Sequence, residues 1–327
     1  MLCDYLCNLT APEPVFLFIV LTAVVGVGLV LDVSGVPVDG GGHAQTPVVI
    51  TNFPYVGVTL MARSDTAPRP LKINVVDIDL SAPGLRFQLT SHAGRLDTVC
   101  MSTLAFLNER KAQMAINAHF FEPWPMTNSD QAANLVGIAA SDGQVYSPFE
   151  DNPPSAFAIH PNAPGLNLDA RNHATIVHRG SNAFSTAEPV RLWNTVSGNE
   201  HIVSNGVNIA ARSVWNTNAN PRTAIAIAPG NHLLLVTVDG RQTNVSEGVT
   251  VPELADLLIR DYRVEHALLL DGGGSTTLVM DAPTPHIVNV PAAQPPRAVG
   301  SSLAIFALPA TVVTNPTSRT RVRNEWH

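Results

Sequence analysis

The sequence is short of charged and aromatic residues. Charged residues make up 14% of the 327 residues and aromatic residues 6%, whereas about 25% of a typical soluble domain is charged. The formal net charge is −7, and no basic run occurs before the arginines at 319–323. Because proteins bind nucleic acids mainly by neutralising phosphates with Lys and Arg, we expect no nucleic-acid partner.

Cysteine is also scarce, with Cys3, Cys7 and Cys100 in the whole chain. The first two precede an apolar segment, so the folded part contains only Cys100. A single cysteine excludes an intramolecular disulfide framework. We expect Cys100 to be a small buried hydrophobic side chain rather than a nucleophile.

One long apolar run stands near the N-terminus, from Val15 to Leu31, and it contains no charge. As a helix it would span roughly 26 Å, slightly short of a ~30 Å hydrocarbon core. We interpret residues 1–31 as a signal peptide or membrane anchor, although the preceding flank has no Lys or Arg to orient it. The alternative is a buried core helix. The preferred interpretation predicts a secreted or membrane-anchored, extracytoplasmic protein, with residues 15–31 as a membrane tether if they are retained.

Composition divides the rest of the chain into three parts. Residues 32–47 are rich in Gly, Pro and small polar residues and read as a linker. Residues 48–310 contain the regular apolar patterns of one domain, and residues 311–327 form a polar tail.

Apolar periodicity predicts the first elements of this domain. Apolar and polar residues alternate over 76–80 and 85–89, which predicts two strands of a hairpin around Ala82-Pro83-Gly84. Ser102 could cap a helix that runs to about Lys111, and residues 114–117 follow as a strand.

The C-terminal third has the clearest pattern. Residues 224–228, 233–238 and 267–270 read as strands buried on both faces. Thr250 to Glu253 is a capping box at the start of a helix between the last two strands. A strand–helix–strand unit suggests a crossover and partly parallel pairing. The sequence therefore predicts a single α+β domain, a mixed β-sheet with a few packing helices.

Residues suited to catalysis or ligand binding follow the last of these strands. Asp271 follows the apolar strand directly, and Gly272, Gly273 and Gly274 follow Asp271. Glycine is costly in a folded backbone unless unusual φ or close approach requires it. Such a loop can turn its N–H groups inward as an anion-binding nest, and Ser275 and Thr276 add hydroxyl donors. A simple glycine-rich turn is the structural alternative.

Three more polar residues stand at element ends nearby. Asp239 ends the strand 233–238, Glu247 precedes the capped helix, and Arg222 precedes the strand 224–228. Acids are rarely buried without a partner or a function. An arginine there could clamp a phosphate or hold a carboxylate.

These motifs together resemble the phosphodiester glycosidase family. The segments Asn220-Pro221-Arg222, Val238-Asp239-Gly240-Arg241, Ser246-Glu247-Gly248 and Asp271-Gly272-Gly273-Gly274-Ser275-Thr276 occur in the order typical of that family. The resemblance covers roughly residues 110–308. It implies a hydrolase that cleaves a sugar-1-phosphodiester or a related glycosidic bond, of the kind found in envelope or exopolysaccharide metabolism, on a sugar-phosphate or glycan substrate.

The resemblance also suggests roles. Asp239 and Asp271 are the expected pair of catalytic acids, with Glu247 orienting sugar hydroxyls. Arg222 and the glycine N–H groups are expected to hold the phosphate. Asn117 and His119 belong to the expected substrate-binding set, although the family usually has Asn-Gly-Gly where Asn117-Ala118-His119 stands. A structural role for His119 fits equally.

Two other functions remain open on the sequence. A metal-dependent phosphodiesterase would use Asp239, Asp271 and His119 as ligands, but no HxH or HExxH spacing supports it. A non-catalytic glycan- or phosphate-binding module could use Trp124, Trp193 or Trp215, which lie in loop-like regions. The preferred interpretation needs no cofactor and no metal.

Overall fold

A computed structural model describes residues 30–31, 46–123, 129–149, 163–213 and 215–310. The predicted tail, most of the linker and nearly all of the predicted signal peptide or anchor lie outside these residues. Among the described residues, no helix has both the length and the hydropathy to span a membrane.

Short strands dominate the chain. In chain order, the strands among the described residues are β1 (Val30–Leu31), β2 (Val48–Tyr55), β3 (Val58–Asp65), β4 (Leu71–Asp79), β5 (Arg86–Leu89), β6 (Thr98–Val99), β7 (Met101–Ser102), β8 (Met114–Asn117), β9 (Phe121–Glu122), β10 (Ala132–Leu135), β11 (Ala139–Ser141), β12 (Gln144–Ser147), β13 (Gly165–Leu168), β14 (Ala174–Val177), β15 (Asn194–Ser197), β16 (Glu200–Ser204), β17 (Val207–Asn208), β18 (Arg222–Ala228), β19 (His232–Val238), β20 (His266–Leu270), β21 (Leu278–Met280), β22 (His286–Ile287), β23 (Ala298–Val299) and β24 (Ser302–Phe306). The α-helices are α1 (Thr103–Arg110) and α2 (Val251–Tyr262), and Gly273–Ser275 forms a 3₁₀ turn.

The largest sheet has nine strands in the order β1-β2-β3-β4-β19-β18-β20-β16-β17. A second sheet has the order β22-β21-β8-β24-β5, and a third the order β12-β11-β15-β13-β14. Two small sheets, β6-β10-β9 and β23-β7, complete the arrangement. This sheet-dominated α+β class is the one that the sequence predicts.

The sheets and helices form layers because β18, β19 and β20 are apolar on both faces. In β18, Ile225 packs into the core between the large sheet and the smaller sheets. Its neighbours Ala224 and Ala226 face the other way, where they pack with Leu254 and Leu258 of α2. The small alanine side chains allow the helix to lie close to the sheet. Helix α1 covers the outer face of β8, β21 and β24 in the same manner.

The predicted hairpin is wrong, although both of its strands exist. β4 pairs with β3 and β19 in the large sheet, whereas β5 pairs with β24 in the second sheet. The turn at Ala82-Pro83-Gly84 therefore carries the chain from one sheet to another. Alternation shows only that each strand has a buried face, and it does not show which strand lies beside it.

The predicted partly parallel pairing is wrong, although the crossover helix exists. Helix α2 does connect β19 to β20, and these strands run in the same direction. They are not hydrogen-bonded neighbours, because β18 lies between them and pairs antiparallel with both. Every strand pair among the described residues is antiparallel.

The local capping predictions are confirmed. The Ser102 hydroxyl accepts a bond from the Ala105 N–H at the start of α1. At the start of α2, the Thr250 hydroxyl accepts from the Glu253 N–H, and the Glu253 carboxylate accepts from the Thr250 N–H. Cys100 is free and buried, and burial raises the pKa of its thiol to about 11. It is a hydrophobic core residue, as expected.

Replacing Thr250 with Ala is expected to lower the free energy of unfolding by about 1 kcal/mol, because the first turn of α2 loses its side-chain acceptor. Urea unfolding of the purified domain measures this change. Thr250→Ser is the control, since it keeps the hydroxyl. Equal stability of the two variants would contradict the capping role.

Candidate active site

A cleft of about 340 Å³ opens where β18 begins and β20 ends. One wall is the turn Asp271–Gly274, and another is the segment from Trp215 to Arg222 that leads into β18. The other lining residues come from strands β9 and β20 and from several loops. They are Phe120, Phe121, Glu122, Val136, Asn199, Arg241, Leu269, Leu270 and Arg297. The cleft thus collects residues from segments that are far apart in the chain.

Asp271 is the acid at the base of the cleft. Its backbone N–H donates to the Ala118 carbonyl at 3.0 Å. Burial raises the pKa of its carboxyl from 3.8 to about 7, and the Ser275 hydroxyl, the Arg297 charge and the Gly272 N–H partly oppose this rise. A carboxyl poised near neutral pH can exchange a proton during a reaction.

Asn117 holds Asp271 in position from the second sheet. Its Nδ2 donates to the Asp271 carbonyl at 2.6 Å. Its Oδ1 accepts from the Thr277 N–H at 3.0 Å and from the Thr223 hydroxyl at 3.1 Å. Asn117 is fully buried and is not part of the cleft lining. The structure therefore places Asn117 behind the cleft surface, bonded to Asp271, rather than among the lining residues.

The glycine turn is tight for a steric reason. A Cβ at Gly272 would lie 2.9 Å from the Pro221 carbonyl oxygen, and a Cβ at Gly274 would lie 2.7 Å from Nη2 of Arg297. Gly273 has φ +60°, in the left-handed region that glycine accepts without strain. The sequence correctly singled out this turn as one that excludes side chains.

The turn does not offer three unused N–H groups, however. The Gly273 N–H donates to the Pro221 carbonyl at 2.9 Å, and the Gly272 N–H lowers the pKa of the Asp271 carboxyl. At least one N–H group of the expected anion nest is therefore already bonded within the protein. The two hydroxyls differ as well: Ser275 bonds with Asp271 and with Nη1 of Arg297 at 3.2 Å, whereas Thr276 is buried against Thr223.

Two further arginines, neither expected at the site from the sequence, lie at this turn. Nη2 of Arg241 comes within 3.2 Å of the Cβ position at Gly273, and Nη2 of Arg297 lies beside Gly274. Arg241 is fixed by a bond from its Nε to Oδ1 of Asn220 at 3.0 Å. Arg241 does stand in the recognised Asp239-Gly240-Arg241 segment, but nothing in the sequence brings residue 297 to the same place.

Arg222 lines the cleft as predicted, but its N–H groups donate to backbone carbonyls of the protein. Its Nε donates to the Val249 carbonyl at 3.1 Å, and its Nη2 donates to the carbonyls of Trp215 at 3.2 Å and Asn218 at 2.8 Å. Burial, followed by the charge of Arg241, lowers the pKa of Arg222 to about 10. Arg222 therefore stabilises the neighbouring segment and adds positive charge to the cleft.

Asp239, Glu247 and His119 are not among the residues that line the cleft. The Asp239 carboxylate is buried and accepts from Nδ2 of Asn289 at 2.8 Å and from the Val290 N–H at 3.0 Å. It ties the end of β19 to a distant loop. The structure therefore does not bring together Asp239 and Asp271 as a pair of carboxyls facing one cavity.

Both ring nitrogens of His119 are hydrogen-bonded within the protein. Its Nδ1 bonds with the Ser301 hydroxyl at 3.0 Å, and its Nε2 accepts from the Ser197 N–H at 2.9 Å. Complete burial lowers the pKa of its imidazole to about 4. His119 is therefore neutral at physiological pH and joins two sheets.

The metal-dependent alternative needed Asp239, Asp271 and His119 as common ligands. Across the described part of the chain, no three His, Cys, Asp or Glu side chains are arranged to hold a metal ion. The carboxylate of Asp239 and both ring nitrogens of His119 already have protein partners. The three residues therefore do not form the proposed ligand set.

Replacing Asn117 with Asp is expected to lower the free energy of unfolding by about 1–3 kcal/mol, because a buried acceptor would then face the Asp271 carbonyl in place of a donor. Urea denaturation measures the change. Asn134→Asp is the matched control, because Asn134 is exposed on β10. If the two variants were equally stable, the positioning bond would have no energetic role.

Solved structures of three proteins share this fold. The catalytic domain of zebrafish N-acetylglucosamine-1-phosphodiester alpha-N-acetylglucosaminidase, auto-inhibited by its pro-peptide, is 18% identical with a TM-score of 0.53, over 81% of this chain and 85% of that one. A Burkholderia pseudomallei protein described as exported is 17% identical with a TM-score of 0.52, over 76% and 77% of the two chains. A hypothetical protein from Synechocystis is 13% identical with a TM-score of 0.52, over 77% of this chain and 62% of its own. At these identities the likeness is one of fold.

No curated protein sequence matches the chain. The family model for phosphodiester glycosidases does match, over residues 110–306. The matched segment contains all the residues that line the cleft, and it spans 197 of the 327 residues. The chain therefore belongs to the phosphodiester glycosidase family and is a hydrolase of that kind.

Proposed function

We propose that the protein hydrolyses a sugar-1-phosphodiester in this cleft, breaking the bond between the anomeric carbon and the phosphate oxygen. The observation that carries the proposal is the convergence of Arg222, Arg241 and Arg297 on one cavity of about 340 Å³. Burial is the largest effect on the pKa of Arg222 and of Arg297 and lowers both. Asp271 raises the pKa of Arg297, and the like charge of Arg241 lowers the pKa of both arginines. An anion in the cleft would relieve this repulsion.

Arg241 and Arg297 are the residues that we assign to the phosphate. Both guanidinium groups lie beside the glycine turn, where the absence of Cβ atoms gives them room. Arginine suits a phosphate because its planar fork donates two parallel bonds to two oxygens. Arg222 has a supporting role, since three of its bonds go to backbone carbonyls.

This clamp would also assist the chemistry. When the anomeric C–O bond breaks, the electron pair goes to the phosphate oxygen, so negative charge on the phosphate increases. Two cations held at that point stabilise the charge as it develops. The departing phosphate monoester is a good leaving group and needs no proton. The reaction therefore requires a group that activates water more than one that protonates an oxygen.

Asp271 is the residue that we assign to this step. In its ionised form the carboxylate takes a proton from water while the water oxygen bonds to the anomeric carbon. The products are a free sugar and a phosphate monoester, and the proton leaves Asp271 afterwards. Glu122 is the other carboxyl in the cleft lining. We assign to Glu122 the orientation of sugar hydroxyls that the sequence analysis assigned to Glu247, and to Asp239 the fixing of the turn after β19.

The proposal extends to location and substrate source. Residues 1–31 are proposed as a signal peptide or anchor, and residues 48–310 as the catalytic domain. The similar Burkholderia pseudomallei protein is described as exported, which supports an extracytoplasmic site of action. Sugar-1-phosphodiesters of the cell envelope or of exopolysaccharides are the proposed substrates.

Arg241→Gln and Arg297→Gln are each expected to lower kcat/KM for a sugar-1-phosphodiester by about 10- to 100-fold, because each removes hydrogen bonds to a charged phosphate. Initial rates on N-acetylglucosamine 1-phosphate methyl diester measure the effect. Arg171→Gln is the matched control, because Arg171 is exposed and outside the cleft lining. Full activity in both cleft variants would refute the phosphate clamp.

Asp271→Asn is expected to lower kcat at least about 100-fold, as loss of a general base does. In the unchanged enzyme, kcat/KM should rise with pH through about 7, because the ionised carboxylate is the active form. The Arg297 charge holds that pKa down, so Arg297→Gln should move the acidic limb to higher pH. A profile that instead falls above pH 7 would make Asp271 an acid and overturn the assigned role.

A further inference from the structure

We propose that Trp215 determines substrate specificity by stacking against a saccharide ring on the leaving-group side of the phosphate. This inference rests on the proposed function of the cleft. Trp215 lines the cleft, and 62% of its surface is exposed. Single exposed apolar residues are common on proteins, so exposure alone means little. The way in which the segment around Trp215 is fixed carries the inference.

The first fixing contact comes from Arg222. Nη2 of Arg222 donates to the Trp215 carbonyl at 3.2 Å and to the Asn218 carbonyl at 2.8 Å. Its Nε reaches the Val249 carbonyl at 3.1 Å, next to the N-terminus of α2. A half-buried cation thus holds the Trp215 carbonyl and the backbone three residues beyond it.

The second fixing contact comes from Glu200 and Asn216. Both side chains are buried, and Nδ2 of Asn216 donates to Glu200 at 2.6 Å and to the Ala211 carbonyl at 2.8 Å. The Ala211 N–H also donates to Glu200. A buried carboxylate is costly unless it is bonded in this way. The backbone at Trp215 and at its neighbour Asn216 is therefore held by two charged groups, Arg222 and Glu200.

A fixed tryptophan is well suited to bind a sugar. Its flat apolar face offers a large contact area with little loss of side-chain freedom. A pyranose presents C–H groups on one face and hydroxyls at its edge. The amides of Asn218 and Asn220, which line the same wall, can bond with such hydroxyls.

Position in the cleft assigns Trp215 to the leaving-group side. Asp271 is buried at the base, and the anomeric carbon must reach it. Trp215 is among the most exposed residues of the lining and marks the mouth of the cleft. The group beyond the phosphate is therefore the one that meets the indole. Of the other tryptophans considered in the sequence, Trp193 packs under the Arg191 guanidinium at 5.5 Å, and Trp124 lies outside the described residues.

The test compares two diesters of N-acetylglucosamine 1-phosphate, one with methanol and one with the 6-hydroxyl of methyl glucoside. Trp215→Ala is expected to raise KM for the glucoside diester by about 2- to 10-fold, the size of one aromatic contact. The KM for the methyl diester and kcat for both should not change. Trp215→Phe should restore part of the affinity. Phe184→Ala is the control, because Phe184 is 55% exposed and does not line the cleft.

Equal effects of Trp215→Ala on the two diesters, or a fall in kcat for both, would overturn the inference and indicate a structural role. Absence of turnover in the unchanged enzyme would instead contradict the proposed function. In that event calorimetric titration of the unchanged protein and Trp215→Ala with both diesters decides the inference. Weaker binding of the glucoside diester alone supports it, and identical binding by the two proteins overturns it.

Discussion

The candidate site depends on one buried amide that joins two sheets. Asn117 ends β8 in the second sheet, and its side chain bonds with the Asp271 carbonyl, the Thr223 hydroxyl and the Thr277 N–H. Both Asp271 and Thr223 belong to the large sheet or its immediate end. Because water cannot reach these groups, each must find its partner within the protein. These bonds therefore favour the observed alignment of the two sheets, and that alignment determines where the acid of the cleft lies.

Local sequence patterns were sufficient to predict most of the helices and strands around this contact between the two sheets. The helix caps at Ser102 and Thr250 and the apolar strands that end at 238 and 270 were recognised because each depends on neighbours within a few residues. The sheet β12-β11-β15-β13-β14 was missed. Its short strands bury polar side chains such as Asn167 and Asn194, so their sequences resemble turns. The prediction of a hairpin at Ala82-Pro83-Gly84 was wrong because strand pairing depends on residues that are far apart in the sequence.

The cleft residues likewise divide into those that local sequence patterns predict and those that depend on distant parts of the chain. Asp271 and its glycines could be recognised, because an acid and an uncommon backbone stood together in the sequence. Glu122 and Arg297 could not be recognised, because Glu122 comes from β9, 149 residues before the acid, and Arg297 from a segment 26 residues after it. Asp239 looked equivalent to Asp271 in the sequence, since each follows a buried strand. The difference arises from Asn289, whose side-chain amide donates a hydrogen bond to the Asp239 carboxylate.

The glycine turn also limits which residues of the cleft can be substituted. A side chain at Gly272 would meet the backbone of Pro221, and one at Gly274 would meet Arg297. That wall is closed to variation. In the neighbouring wall from Trp215 to Asn220, Asn216 and Asn220 bond through their side chains with Glu200 and Arg241, whereas Trp215 and Asn218 are bonded through their main-chain carbonyls. The side chains of Trp215 and Asn218 can therefore be exchanged without loss of these bonds. Directed evolution of new substrate preferences should randomise these two positions and leave the turn intact.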